Sequence, residues 1–169
     1  GRKAMKIALI TDQHLDGRKG NINFWNYFQK FYDNIFFPTL EKEGISTIID
    51  LGDTFDNRKS MDFNTFNRIT ENYFKRLEDY KVHMILGNHC TYYKNTNKIN
   101  SPELLLEQYK NINIYASPEE ITLGSKKFLL MPWINKENKE ECLELIANSQ
   151  ADIMCCLLYT SDAADDLYR

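Results

Sequence analysis

Short apolar runs alternate with longer amphipathic segments over the first half of the chain. The runs at positions 6–10, 46–51 and 82–86 have the length of buried strands. The segments between them, 23–43 and 62–80, carry apolar residues at intervals of three and four, which is typical of amphipathic helices. Strands that alternate with helices in this way predict a parallel sheet.

Local residue types refine both predicted helices. The apolar stripe of the first helix comprises Phe24, Tyr27, Phe28, Phe31 and Ile35. Pro38 lacks a backbone N–H, so it predicts a kink or a break within this helix. Asp62 is the predicted N-cap of the second helix. The predicted buried face of that helix comprises Phe63, Phe66, Ile69, Tyr73 and Leu77.

The last third of the chain predicts further elements of both kinds. Ser101 is the predicted cap of a short helix, because a proline and an acid follow it. Another helix is predicted over 137–148. Strands are predicted at 112–115, 121–123, 127–131 and 153–155. The middle two of these strands are joined by a turn, so they form an antiparallel addition to a single α/β domain.

Composition and charge narrow the class of protein only slightly. The chain has 169 residues, of which 43% are hydrophobic and 27% charged, as in an ordinary globular domain. A net charge of −3 argues against a basic surface that coats nucleic acid, although a metal site would supply its own positive charge. No apolar run approaches the ~20 residues of a membrane span, and no secretory leader is recognisable. We therefore expect a cytosolic protein with four reduced cysteines.

Polar clusters follow each of the first three predicted strands. Asp12 and His14 come after the first strand, Asp53 after the second, and Asn88 and His89 after the third. Because the carboxyl ends of parallel strands meet at one edge of a sheet, these side chains are expected to converge. Carboxylate, imidazole and amide oxygen are ligands of divalent metals. Each cluster alone is an ordinary turn, but the three in order predict a dinuclear metal centre.

The residue types suggest a role for each member of these clusters. Asp12 and His14 can turn toward the same ion. Asp53 could bridge two ions, and Asn88 offers an amide oxygen to the second of them. Two metals about 3.5–4 Å apart would activate a hydroxide for phosphoryl chemistry. His89 is placed to bond a phosphate or to protonate a leaving oxygen.

The order D-x-H, G-D, G-N-H resembles the motif pattern of the calcineurin-like metallophosphoesterases. The resemblance runs from about residue 6 to residue 155 and implies the α/β fold of that family, a β-sandwich flanked by helices (αββα). It implies that Asp12 and His14 bind the first metal and that Asp53 bridges the pair. It further implies that Asn88 binds the second metal and that His89 contacts the phosphate.

The segment 52–58 reads G-D-T-F-D-N-R, which is similar to the form found in DNA-repair exonuclease subunits. The Pro-Trp pair at 132–133 resembles the same branch, which includes SbcD-like and phage recombination nucleases. This branch implies action on DNA ends with two Mn²⁺ ions, a coiled-coil ABC-type ATPase subunit as partner, and compatibility with a homodimer. Arg58 then touches the DNA backbone or forms a surface salt bridge. Asp56 orients the loop or a neighbouring metal ligand.

The sequence departs from the family pattern at two places. Cys90 stands where the family has an acid that supports the ligands; it weakens that support or, as the less favoured alternative, binds metal as a thiolate. The pattern also continues with further histidines, whereas this sequence has only His14, His83 and His89. His83 is predicted to be a packed, hydrogen-bonded residue. We therefore expect a C-terminally truncated domain with open, weak metal sites and no activity of its own.

The end of the chain is expected to be foreign to the domain. Residues 5–155 are assigned to the N-terminal part of the nuclease domain. Residues 156–169 back-translate into a sequence that resembles a transposon-end adapter of sequencing libraries, so they are interpreted as a non-native tail; a short acidic helical tail is the alternative.

The sequence is compatible with three functions. The leading hypothesis is two-metal phosphodiester hydrolysis on DNA. The second is a metallophosphoesterase that acts on a phosphoprotein, a nucleotide or a small phosphoester. The third is a non-catalytic truncated domain.

Overall fold

A computed structural model of the protein describes residues 4–157. The strands of this part are β1 (Ile7–Ile10), β2 (Thr47–Asp50), β3 (Lys81–Ile85), β4 (Ile112–Tyr115), β5 (Glu119–Leu123), β6 (Lys126–Met131) and β7 (Ile153–Cys156). The helices are α1 (Gly17–Gly20), α2 (Ile22–Phe31), α3 (Phe37–Glu43), α4 (Phe63–Asn72), α5 (Ser101–Leu105) and α6 (Lys139–Asn148). Every strand predicted from the sequence is present, with bounds that differ by at most two residues.

The strands form two sheets. The first is wholly parallel with the order β1-β2-β3-β4, and the second has the order β5-β6-β7 with an antiparallel β5-β6 pair. In the parallel sheet Ile10 lies opposite Asp50, and Asp50 lies opposite Met84. The carboxyl ends of β1, β2 and β3 are therefore level, which brings the three loops that follow them to one edge.

Three hydrophobic clusters fill the spaces between four layers. The largest lies between the parallel sheet and α2, α3 and α4, and it includes Trp25, Ile48 and Met84. The second lies between the two sheets around Ile49 and Leu130. The third lies between β6 and α6 and includes Leu129, Met131 and Cys142. Helix, sheet, sheet and helix follow one another, so the predicted αββα sandwich is confirmed.

The first long helix is interrupted as Pro38 predicts, but its apolar stripe is not the face that is buried. A π-helical turn at Tyr32–Phe36 separates α2 from α3 directly before the proline, whose missing N–H leaves a carbonyl of the preceding turn without its usual donor. Tyr27 is 74% exposed. The buried aromatic residues of this region are Trp25, Tyr32, Phe36 and Phe37.

The second long helix is shorter than predicted, because α4 ends at Asn72 and a separate 3-10 turn follows at Phe74–Leu77. The corrections to the helix ends are local. Asp62 caps α4, because its carboxylate accepts a hydrogen bond from the backbone N–H of Thr65 at 2.8 Å. Phe63, the first residue of α4, is 93% exposed and does not belong to the buried face. Asn100, not Ser101, caps α5, since its side chain accepts from the N–H of Glu103. The helix predicted from residue 137 begins two residues later.

The end of the described part joins the second sheet. β7 extends through Cys156, which pairs with Met131. Residues 158–169, which contain most of the predicted foreign tail, lie outside the described residues. Within residues 4–157, none of the helices is long and apolar enough to cross a membrane.

Candidate metal centre

The loop after β1 is bonded along its length to the loop after β2. The N–H of Asp12 donates to the carbonyl of Gly52 at 3.0 Å, and the N–H of His14 donates to the carbonyl of Asp53 at 3.0 Å. Asp12, His14 and Asp53 all have φ between 44° and 54°, a left-handed conformation that costs an L-residue roughly 1–2 kcal/mol. The hydrogen bonds between the loops hold this unfavourable conformation, and they fix the direction of all three side chains.

Two glycines allow the second and third loops to touch. Gly52 has a φ of 111°, and a Cβ on it would lie 3.2 Å from the backbone of Gly87. A Cβ on Gly87 would lie 2.3 Å from Oδ1 and 2.5 Å from the backbone nitrogen of Asp53. Such an approach excludes any side chain at Gly87 unless Asp53 moves. The glycine that precedes Asn88 therefore leaves room for the carboxylate of the neighbouring loop.

Ligand atoms of Asp12, His14 and Asp53 all lie within 4.8 Å of one another. Asp53 is 1% exposed, His14 is half-buried and Asp12 is exposed, so the cluster opens to solvent on one side. Two carboxylates and an imidazole are a donor set suited to a divalent transition metal. The two carboxylates repel each other at this spacing, and a bound cation would offset that repulsion. The three predicted ligands thus fit a metal ion.

The third loop brings Asn88 and His89 to the same place. The backbone N–H of His89 donates to Oδ1 of Asp53 at 3.1 Å. The imidazole rings of His89 and His14 meet edge to face, with centroids 5.3 Å apart. Asn88 is buried, and its Oδ1 accepts a hydrogen bond from Arg58 at 2.5 Å. An amide oxygen is also a ligand type that divalent metals take.

Asp56 lies behind His14. Its Oδ1 is 3.1 Å from Nδ1 of His14, although not in line for a hydrogen bond, while Nε2 of His14 faces Asp12 at 3.7 Å. The loop that carries Asp56 is held by Asp16, whose carboxylate accepts from the N–H groups of Asp56 at 2.5 Å and Asn57 at 3.1 Å. Asp16 was not among the residues predicted from the sequence, where its only signal is an acid two residues after His14.

Arg58 points into the protein toward the metal centre. Its guanidinium donates to Oδ1 of Asn88 and to the carbonyl and hydroxyl of Thr91, and it lies 6.0 Å from the ring centre of Trp133. Within residues 4–157 it forms no salt bridge, so the surface ion pair considered from the sequence is not observed. The guanidinium of Arg58 instead borders the candidate metal centre.

Asp50 forms a buried network beneath the three loops. It is 1% exposed and accepts hydrogen bonds from the N–H of Gly52 at 3.0 Å, the hydroxyl of Thr54 at 2.9 Å and the amide of Gln13 at 2.8 Å. Tyr32 donates to Gln13 in turn. Burial outweighs these bonds and raises the pKa of Asp50 to about 7. Asp50 was not predicted from the sequence, because it stands inside the apolar run of β2.

The remaining candidates lie beside the centre or away from it. Cys90 is fully buried, and burial raises the pKa of its thiol to about 12, which favours a neutral packed group over a thiolate ligand. His83 is packed between the sheets with Nδ1 2.7 Å from the hydroxyl of Tyr115, as the sequence predicts. Burial lowers the pKa of His83, so it is the neutral form that fills this space.

The sandwich carries, at one edge, a cluster of acids and an imidazole that suits a divalent metal. Residues 5–156 match the family described as calcineurin-like phosphoesterase, and the chain belongs to this family. Exonuclease subunit 1 of Enterobacteria phage T4 is 36% identical over 149 residues, which cover 87% of this chain and 43% of the phage protein. The chain therefore spans less than half the length of this curated relative. The predicted family is confirmed.

Two solved structures are distantly similar. Pseudomonas putida nuclease MPE is 21% identical, with 74% of this chain and 52% of that chain covered and a TM-score of 0.48. A protein of unknown function from Aquifex aeolicus is 17% identical, with 96% and 85% covered and a TM-score of 0.47. The family membership rests on the sequence matches.

Proposed function

We propose that this site hydrolyses phosphodiester bonds in DNA with two divalent ions, preferentially Mn²⁺. Asp12 and His14 would hold the first ion, Asp53 would serve both ions, and Asn88 would serve the second. The observation that carries the proposal is the convergence of Asp12, His14 and Asp53 within 4.8 Å on three left-handed backbone positions. Strained L-residues at one cluster are a common feature of functional sites.

The chain's own side chains would position the metal ligands and protonate the leaving oxygen. Bound divalent ions supply Lewis acidity and an activated hydroxide. The N–H of His89 holds Oδ1 of Asp53, and the carboxylate of Asp56 lies behind the imidazole of His14. The half-buried imidazole of His89 is the group that contacts the phosphate and protonates the leaving oxygen.

DNA is favoured over other phosphoesters by two observations. The phage relative is named an exonuclease subunit, and Arg58 lies at the edge of the site, where its cationic face can meet a phosphate backbone. The word subunit in the name of the phage relative supports a partner protein, and we propose that this partner is a coiled-coil ABC-type ATPase. We also propose that the protein acts at DNA ends in an arrangement compatible with a homodimer. The cytoplasm of a bacterium or of its phage-infected cell is the corresponding location.

Metal binding is the first test. This sequence has three histidines, one of them between the sheets, so we expect weak sites and a chain without turnover. Calorimetric titration with Mn²⁺ should give binding that Asp53→Asn weakens at least tenfold, in line with roughly 10–100-fold effects of residues that merely support ligands. Asp79→Asn, at an exposed acid far along the chain, is the matched control. Equal affinity of both variants would contradict the site.

Substrate choice needs a second measurement. A version extended with the histidine-bearing part of the family pattern should degrade labelled duplex DNA in Mn²⁺ faster than it cleaves a phosphopeptide or a chromogenic phosphodiester. Preference for the phosphopeptide would favour the alternative phosphoesterase function. We also propose that residues 5–155 are the domain proper and 156–169 a foreign tail; sequencing the source locus across Cys155 tests this.

A further inference from the structure

A second cavity, distinct from the metal cluster, shares Arg58 with it. The cavity has a volume of about 180 Å³. Its lining comes from the loops after β2 and β3 and from α5, and it includes Arg58, Lys59, Ser60, Met61, Tyr92 and Leu105. Because Arg58 also donates to Asn88, whatever fills this cavity lies one side chain away from the metal centre.

The lining combines apolar, aromatic and cationic groups. Met61 and Leu105 supply apolar walls, and Tyr92 supplies a ring. Nζ of Lys59 lies 5.1 Å from the centre of that ring. Among the described lining residues none carries a carboxylate. Pockets for small ligands are typically of this kind, mostly apolar with a few convergent polar groups.

A larger cavity nearby has the opposite charge. It measures about 800 Å³ along β4, and its lining includes Glu103, Glu107 and Glu119 against one lysine, Lys98. Three carboxylates would repel a phosphate backbone. The small cavity is therefore the one whose charge suits an anionic ligand.

The wall that carries Tyr92 is held in place by the fold. Thr91 and Asn100 form a β-bridge, and the N–H of Tyr92 donates to the carbonyl of Ile99 at 2.9 Å. Asn100 is 1% exposed, and its amide donates to the carbonyl of Asn97 at 3.0 Å. A ring on a closed loop of this kind needs little ordering when a ligand stacks on it.

We propose that this cavity binds the base of an unpaired nucleotide adjacent to the phosphate at the metal centre. The base stacks on Tyr92 between the apolar walls, and Arg58 and Lys59 meet its flanking phosphates. A base held inside a duplex cannot reach a pocket, so the strand is locally unpaired there. The inference rests on the proposed function, since it names the form of DNA that the site accepts.

The mouth of the cavity also has exposed apolar residues, Leu104 at 69% and Ile99 at 45%. Such residues suit a protein partner as well. The cationic side chains of Arg58 and Lys59, the absence of acids in the described lining and the hydrogen bond from Arg58 to Asn88 favour a nucleotide.

Fluorescence anisotropy with a labelled single-stranded oligothymidylate tests the proposal, with this chain in EDTA and in Mn²⁺. Tyr92→Ala removes the ring, and Ser60→Trp fills the cavity from an exposed position, so that one failure to fold does not end the test. Each should weaken binding roughly tenfold, the size expected for one stacked base. Tyr27→Ala, at a tyrosine that is 74% exposed on α2, is the matched control and should bind like the unaltered chain.

An abasic oligomer of the same length and charge separates stacking from electrostatic attraction. The unaltered chain should bind it roughly tenfold more weakly than the oligothymidylate, and Tyr92→Ala should bind both alike. If the pocket variants bind oligothymidylate as tightly as the unaltered chain, the base pocket is refuted and a protein occupant is favoured. If the unaltered chain binds no DNA at all, the proposed function fails as well.

Discussion

Asp50 gives the sharpest test of how the site is built. Its carboxyl is buried beneath the loops that carry Asp12 and Asp53, where three donors partly replace the lost water. Burial is the dominant influence and raises its pKa from 3.8 to about 7, with the nearby charge of Asp12 acting in the same direction. Asp50→Asn keeps the size of the side chain and removes the titration.

The sign of the effect follows from the two pKa values. Below pH 4 the carboxyl is protonated in both the folded and the unfolded chain. Between about pH 4 and pH 7 the unfolded chain releases this proton while the folded chain retains it, so the free energy of unfolding falls as the pH rises. At about 1.4 kcal/mol per pH unit, the loss from Asp50 amounts to about 4 kcal/mol. Above pH 7 the contribution is constant.

Urea unfolding in EDTA, followed by the fluorescence of the buried Trp25, measures this term. Other groups titrate over the same range, so the difference between the original chain and Asp50→Asn is the useful quantity. The amide misplaces one hydrogen bond, which costs the variant roughly 1–3 kcal/mol at every pH. The difference should therefore change in favour of the variant by about 4 kcal/mol from pH 4 to pH 7. If the difference in the free energy of unfolding between the two chains stays constant with pH, the raised pKa of Asp50 is refuted.

Three further predictions concern the loops and the helix ends. Gly87→Ala should weaken Mn²⁺ binding more than tenfold in a calorimetric titration, because its Cβ would lie 2.3 Å from Oδ1 of Asp53, whereas Gly44→Ala, with nothing within 4 Å, should leave it unchanged. Asp62→Ala should lower the free energy of unfolding by about 1 kcal/mol without altering metal affinity, since it removes only a helix cap. Arg58→Gln should lower the salt dependence of DNA binding by about one phosphate contact, and an unchanged slope would exclude Arg58 from the backbone.

The chemistry-bearing residues could be predicted because strand ends are local. Three apolar runs followed by polar clusters were enough to place Asp12, Asp53 and Asn88 at one edge, since parallel strands in register end together. The supporting residues were not predictable in this way. Asp16 acts on a loop 40 residues later, and Asp50 acts on Gln13, 37 residues earlier. Neither has a local pattern that distinguishes it from an ordinary turn or strand residue.

The face of a helix was also beyond the sequence. The region from Phe24 to Phe37 is aromatic on every side, so several stripes satisfy the helical period equally well. The π-helical turn before Pro38 changes the register between α2 and α3, and tertiary packing selected the stripe that includes Trp25 and Tyr32. At Phe63, a residue in the first turn of α4 fits the apolar pattern but is 93% exposed.

The sequence by itself determined the family and the order of the elements, and it named the residues that we propose as metal ligands, because each of these depends on residues close together along the chain. Only the tertiary structure decided that Arg58 faces the metal centre instead of solvent, that Cys90 is a packed thiol, and that Asp50 supports the ligands from below. These properties come from burial and from contacts between loops far apart in sequence. Both depend on how the layers close, and no local pattern of residues encodes that closure.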